Sequence, residues 1–147
     1  MAKPFDPRLL ELERYPYLID IATRFADMDV NGHINNVAMA AVFEDARARF
    51  DFTHCMHDSR GVVMTVATYI DYTAQAHYPH PLTMAVGVSS IGKSSWVISG
   101  LALQEDVTRA VCRATMVNTD GTRPKALSEG MREMLASVQM HFPQPQI

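Results

Sequence analysis

An α+β fold, one long helix laid against one curved antiparallel sheet, is predicted by three observations on the sequence. A single long segment free of Gly and Pro, Asn36 to Asp51, has the Ala, Met, Glu and Arg content of a helix. Four strand-like runs follow it with only short turns between them, which favours hairpins over the helical crossovers that parallel strands need. One of these runs, Leu82-Thr-Met-Ala-Val-Gly-Val88, sets its large apolar residues at strict period two, the mark of a sheet with one buried face.

Residues 17–27 (YLIDIATRFAD) carry β-branched and aromatic residues in partial alternation and predict a first strand. It runs straight into a polar loop, Asp27-Met-Asp-Val-Asn-Gly-His-Ile-Asn-Asn36. Beyond the loop, Val37, Ala40, Phe43, Ala46 and Phe50 recur at spacings of three and four and predict the buried stripe of the helix. Glu44, Asp45, Arg47 and Arg49 are left for solvent or for partners beside the helix. After a short loop, THCMHDSRG, the later strands are expected at 62–75, 82–91, 95–104 and 107–118, punctuated by His80-Pro81, Gly92-Lys93-Ser94 and Glu105-Asp106. A turn at Asp120-Gly-Thr-Arg-Pro124, an amphipathic helix near 128–140 and a frayed tail marked by Pro143 and Pro145 close the chain. No repeat or linker interrupts this order, so the 147 residues are expected to form one domain, 1–147.

Hydrophobic residues make up 48% and charged residues 20%, the balance of a soluble globular chain rather than a disordered one. The formal net charge of -3 argues against nucleic acid as a partner, because a nucleic-acid surface needs a basic face. The longest apolar stretch, Trp96 to Leu103, is broken by Ser99 and Gly100 and is far shorter than the about 20 residues that span a bilayer. The N-terminal MAKPFDPRLLELER lacks the apolar run of a secretory leader, and a domain of this size does not need Cys55 and Cys112 to pair. A cytoplasmic protein with free thiols and no membrane contact is therefore expected. His54, Cys55 and His57 lack a second ligand pair at zinc-site spacing, so they are expected to be loop residues and not a metal centre.

The loop 27–36 admits three readings. Asp27, Asp29, Asn31 and Gly32 fall on positions one, three, five and six of a calcium-binding EF-hand loop, but position twelve, which must supply a bidentate Glu, is Ala38. A capped turn explains Gly32 through its permissive backbone and Asn35 or Asn36 as a helix cap. The catalytic reading starts from the helix. Its first turn offers unsatisfied N–H groups and a positive dipole end, which would polarise a carbonyl and stabilise an oxyanion. An acid a few residues upstream, Asp29, would act on that carbonyl as nucleophile or as general base, with His33 orienting it, bonding substrate or moving a proton.

Arg24-Phe-Ala-Asp-Met-Asp-Val-Asn-Gly-His-Ile-Asn-Asn36, followed by Phe43-Glu44-Asp45-Ala46-Arg47, resembles the signature of hotdog-fold acyl-CoA thioesterases of the 4-hydroxybenzoyl-CoA thioesterase type. The loop is also similar to the DxDxNxHxNN segment of plant acyl-ACP thioesterases. The resemblance extends over roughly 17–137, with Tyr69-Ile-Asp-Tyr72, Ile91-Gly-Lys-Ser-Ser95 and Thr122-Arg-Pro124 similar to later segments of the family. It implies a hotdog fold, an antiparallel sheet wrapped around one long central helix. It also implies an acyl-CoA substrate, no cofactor beyond the CoA that is part of it, and a homodimer or homotetramer whose active site lies at the subunit interface.

Carried over residue by residue, the resemblance assigns catalysis to Asp29, supports it with Asn31 and His33, and gives the oxyanion to the backbone N–H of Asn36. Gly32 would permit the close turn, and Asp27 would bond loop amides as scaffold. The plant enzymes place a catalytic Glu or Cys where this chain offers Gln75 or Ala76, so that part of their mechanism does not transfer. Many relatives carry Tyr a few residues into the helix; Met39 stands here, which predicts a roomier, aliphatic acyl pocket, with Met64 as a further lining residue. Lys93, Ser94 and Ser95 form a turn that reads equally as a CoA phosphate or pantetheine anchor and as a solvated hairpin. A non-catalytic module that binds acyl-CoA is the rival to an enzyme.

Overall fold

A computed structural model describes residues 5–54 and 61–142. Five strands form one antiparallel sheet: β1 (Tyr17–Ile21), β2 (Val62–Tyr72), β3 (Leu82–Ile91), β4 (Ser95–Gln104) and β5 (Val107–Thr119), in the spatial order β1-β3-β4-β5-β2. A long helix, α1 (Asn36–Thr53), packs on β3, β4 and β1, and a shorter helix, α2 (Glu129–Ser137), packs on β3. The α+β class and the antiparallel pairing agree with the sequence expectation, and β3 and β4 match their expected spans. Irregular pairings at Thr65/Ala67, Val88/Ser90 and Ala102/Leu103 interrupt the ladders. Such bulges bend strands and raise their twist, which suits a sheet that must curve over a helix.

Three boundaries differ from expectation by three residues or more, each for a hydrogen-bonding reason. The first strand ends at Ile21 and not at 27, because the Asp27 carboxylate accepts the Arg24 N–H (2.8 Å) and closes Phe25–Asp27 into a 3-10 turn. β2 stops at Tyr72, where the N–H groups of Thr73 and Ala74 both turn to the Arg109 carbonyl. α2 is shorter than 128–140, capped by the Ser128 hydroxyl and followed by backbone that bonds Val88 through Val138 O and Met140 N. Cys55, His57 and the prolines of the tail lie outside the described residues. His54 ends α1, with its Nδ1 2.8 Å from the Phe50 carbonyl and its ring against Tyr17 and Phe50.

The buried face of α1 is Met39, Val42, Phe43, Ala46 and Phe50. Val37 and Ala40, expected on that stripe, are instead exposed, Val37 at 81%. Ala and Val recur around the helix, so its pattern admits more than one stripe, and packing chose the one that carries Phe43 and Phe50 while Phe52 stays exposed. That face meets Leu82, Met84, Val86 and Val88 of β3 and Trp96, Ile98 and Ala102 of β4 in one core. Gly100 makes the approach possible: a Cβ there would stand 3.0 Å from Phe43 Cδ1 and 3.1 Å from Cε1.

The sheet's other face is not simply polar. Ala85, Leu101 and Val111 form a second buried cluster under Leu9, Tyr15 and Met140, so segments before β1 and after α2 cover it. The Tyr15 hydroxyl donates to the Leu9 carbonyl at 2.6 Å and fixes that cover. Among the described residues, no helix is long and apolar enough to cross a membrane.

Substituting Gly100→Ala forces its new methyl against a fully buried ring, and overpacking of this kind costs about 1–3 kcal/mol. Urea denaturation should report that loss, and a stability equal to the wild type's would contradict the contact between α1 and β4.

Candidate active site

The polar loop is a closed turn clasped between β1 and α1. The Gly32 N–H donates to the Asp29 carbonyl (3.1 Å), the Asp29 N–H to the His33 carbonyl (2.8 Å), and Met28 bridges Ile34. Gly32 sits at φ +77, a left-handed conformation that costs little only in glycine. Buried Ile34 pins the loop below, and its N–H donates to the Ala76 carbonyl at 2.8 Å. Asn35 caps α1, its Oδ1 accepting from the Ala38 N–H at 2.7 Å. The Tyr72 hydroxyl donates to the Asn36 carbonyl and ties the helix start to β2.

Asp27 is 4% exposed and belongs to the frame. Its Oδ2 accepts the Arg24 N–H, and its Oδ1 accepts Arg24 Nε (3.2 Å) and Nη2 (2.8 Å). Burial alone would raise its pKa, but the hydrogen bonds and charge of Arg24 outweigh burial and hold the carboxyl below the ordinary range. With Asp27 committed to Arg24, the calcium reading loses its first ligand, and among the described residues no group of three His, Cys, Asp or Glu could hold a metal.

Asp29 is exposed and oriented by the backbone. Its Oδ1 accepts the N–H groups of Asn31 (2.8 Å) and His33 (3.2 Å), while Oδ2 accepts no hydrogen bond from the described residues. At the start of α1, the N–H groups of Asn36 and Val37 have no acceptor among the described residues. The free carboxylate oxygen and these two donors share one open cleft of about 710 Å³. The arrangement can present a negative charge and an oxyanion site to one bound carbonyl.

Asp29, Asn31, His33 and Asn36 all line this cleft. Met39 does not: it is 3% exposed in the core beneath α1, because it lies on the helix face turned to the sheet. Met64 is 54% exposed on β2. The apolar wall of the cleft is Val37, Ala38 and Ala41. Arg24 and Gln75 also line it, and a second hollow of about 470 Å³ shares Arg24, Ala38 and Ala41 and extends along α1 to Asp45 and Arg49. Gln75 stood out in the sequence only as a departure from the plant pattern, since nothing local announces that the segment after β2 folds back against the loop.

Lys93, Ser94 and Ser95 are not at the cleft within one chain. They end β3 and begin β4, whereas the loop packs beside Ala76, near the start of β3, about 30 Å away at 3.3 Å per strand residue. Their backbone serves α2: Arg132 Nη2 donates to the Gly92 carbonyl (2.9 Å) and the Lys93 carbonyl (3.2 Å), and the Leu127 N–H to Lys93 O.

Against this geometry, a family model described as the Thioesterase-like superfamily matches residues 23–135, a span holding the loop, α1 and all strands but β1. A protein from Pseudomonas aeruginosa strain PAO1 is 27% identical, with TM-score 0.75 over 87% of this chain and 94% of its own. A structure described as a predicted thioesterase from Bacillus stearothermophilus is 26% identical, with TM-score 0.77 over 86% of this chain and 98% of its own. A thioesterase from Thermus thermophilus complexed with coenzyme A and zinc shares the fold at 23% identity, with TM-score 0.77 over 86% and 96%. No curated protein matches the chain. The sheet and helix are the hotdog fold that the loop signature implies.

The depressed Asp27 carboxyl stabilises the fold above its unfolded value of about 3.9 and loses that contribution as pH falls through the lower folded value. Between about pH 6 and about pH 3, Asp27→Asn should therefore lose less of its denaturation midpoint than the wild type does. Equal losses would mean that the Arg24 pairing leaves the Asp27 equilibrium unchanged.

Proposed function

Because the chain belongs to the thioesterase-like superfamily, we propose that it is a thioester hydrolase acting on a fatty or aromatic acyl-CoA, with the Asp29 carboxylate as its nucleophile or general base. The observation that carries this reading is the shared cleft: one uncommitted carboxylate oxygen and two uncommitted helix-start N–H groups. The thioester carbonyl oxygen would lie against the Asn36 and Val37 N–H groups, where the helix dipole favours the charge of a tetrahedral intermediate. The Asp29 carboxylate then takes a proton from the attacking water, or attacks the carbonyl carbon itself and is released by water. Collapse of the intermediate breaks the C–S bond and expels the CoA thiolate. On the general-base route this leaves the free acid, and the thiolate takes the proton held by Asp29. On the nucleophilic route it leaves an Asp29 acyl anhydride that water hydrolyses to the free acid, one of the protons released going to the thiolate. Asn31 and His33 bond substrate beside Asp29, Gly32 keeps the turn tight, and no cofactor beyond the CoA in the substrate takes part.

The acyl group follows the apolar wall of Val37, Ala38 and Ala41 into the hollow along α1, which gives room for a chain or a ring. A CoA ligand has a counterpart in the Thermus thermophilus structure, a protein of the same fold. We assign the working protein to the cytoplasm.

The unit is a homodimer or a homotetramer of two such dimers. β2 is an eleven-residue edge strand with Val62, Met64, Val66 and Tyr69 exposed, an apolar edge that invites pairing with another strand. Antiparallel pairing of two copies of β2 reverses one sheet against the other. The partner's β3-β4 turn would then lie at the same end of the double sheet as this cleft. In that assembly Lys93, Ser94 and Ser95 serve as CoA anchor for the neighbouring copy, which reconciles that assignment with their distance from the loop in one chain.

A panel of acyl-CoAs with a thiol-detecting dye tests the activity, and Asp29→Asn should lower turnover about a hundredfold or more. Turnover preserved within a few-fold in the variant would remove Asp29 from the mechanism. Tight binding of CoA esters without thiol release by the wild type would leave the rival reading, a binding module.

A further inference from the structure

We infer that His77 is a positioning residue for His33, and that buried Gln104 is the clamp that delivers it. His33 lines the cleft, while His77, half-buried behind it, does not. The two residues bridge as antiparallel partners, and their rings stack edge to face at 5.1 Å between centroids and 70° between planes. No sequence motif links them. They meet because the Ile34 N–H bonds the Ala76 carbonyl and draws the segment after β2 along the loop.

Beyond that bridge to the loop, the His77 backbone is held by the Gln104 side chain. The Gln104 side chain is at the end of β4 and is 1% exposed. Its Oε1 accepts the His77 N–H (2.8 Å), and its Nε2 donates to the carbonyls of His77 (2.7 Å) and His80 (2.9 Å). A buried amide with donor and acceptor both satisfied is costly to disturb, so the backbone of His77 is held firmly. Arg109 secures the other side, with Nη1 on the Gln75 carbonyl (2.5 Å) and Nε and Nη2 on the Gln104 carbonyl.

An imidazole on a solvent-facing loop would otherwise turn freely about its side-chain bonds. Edge-to-face contact with a fixed ring restricts that freedom, and orientation of a reacting group is where catalytic rate is lost most easily. The charged groups around the pair are accounted for elsewhere: Asp29 Oδ1 takes the His33 amide, and His80 on the far side of the segment faces Glu105. His77 thus acts through ring contact and not by touching substrate.

The catalytic consequence rests on the proposed thioesterase activity with His33 at the substrate. His77→Ala should lower kcat about tenfold, leave KM within about twofold, and leave the melting temperature near the wild type's. His77→Phe, which keeps a ring, should recover most of the rate. In a His33→Ala background, His77→Ala should cost nothing further, because its effect passes through His33. An additive loss in the double variant, or a Phe variant as slow as Ala, would overturn the inference. Should the wild type hydrolyse no acyl-CoA, the functional reading fails alone, and NMR decides the positioning role. His77→Ala should shift the His33 ring protons and average its χ1 couplings, whereas unchanged His33 signals would overturn it.

Discussion

The structure depends on the burial of one face of α1 against the concave side of the sheet. Met39, Val42, Phe43, Ala46 and Phe50 are removed from water together, and the Phe43 ring rests where Gly100 leaves no Cβ. Burying two phenylalanines and their aliphatic neighbours is worth several kcal/mol, at about 1.5–3 kcal/mol for each large apolar side chain. That force sets the rotation of the helix about its axis. Once the rotation is fixed, so are the direction of the first turn, the exposure of Val37 and Ala41, and the side on which the preceding loop must approach.

The chemistry of the cleft is a by-product of how the loop satisfies its own backbone. Four N–H groups at the start of any helix lack intrahelical acceptors. Here the Asn35 side chain accepts from Ala38 and the Asn35 N–H itself donates to the Asp27 carbonyl, which leaves the Asn36 and Val37 groups to the cleft. Two carboxylates two residues apart are driven to opposite fates by their surroundings. Asp27 is buried and neutralised by Arg24, while Asp29 is held by two amides through one oxygen and presents the other to solvent. The same loop therefore contains a structural acid and an available one.

Two features of the sheet govern how the domain meets its surroundings, and a third reaches back to the loop. β1 is a five-residue edge, too short to offer much unpaired backbone, whereas β2 is a long apolar one. The outer face is closed by Leu9, Tyr15 and Met140, so this side of the sheet already has a partner within the chain. The β4-β5 hairpin turns at Glu105 and Asp106, both with positive φ, the tight reversal whose twist matches that of its strands. It sets Gln104 and Arg109 side by side where they fasten the segment after β2.

The sequence by itself determined the element order, the antiparallel class, the spans of β3 and β4, the closed turn at Gly32 and the cap at the start of α1. All of these are local: a period of two, a run without Gly or Pro, an Asn at a helix start, a Gly where φ must be positive. It also singled out Asp29, because the loop pattern resembles that of known thioesterases. Only the tertiary structure decided which helix stripe is buried, since the apolar residues of α1 surround it and the choice lay with the sheet. It alone brought Gln75 and Arg24 to the cleft, His77 to His33 and Gln104 to His77, and it separated Lys93 from the loop by the length of β3. Those placements arise from strand register and loop closure between residues tens of positions apart, which leave no periodicity or motif in the chain to read.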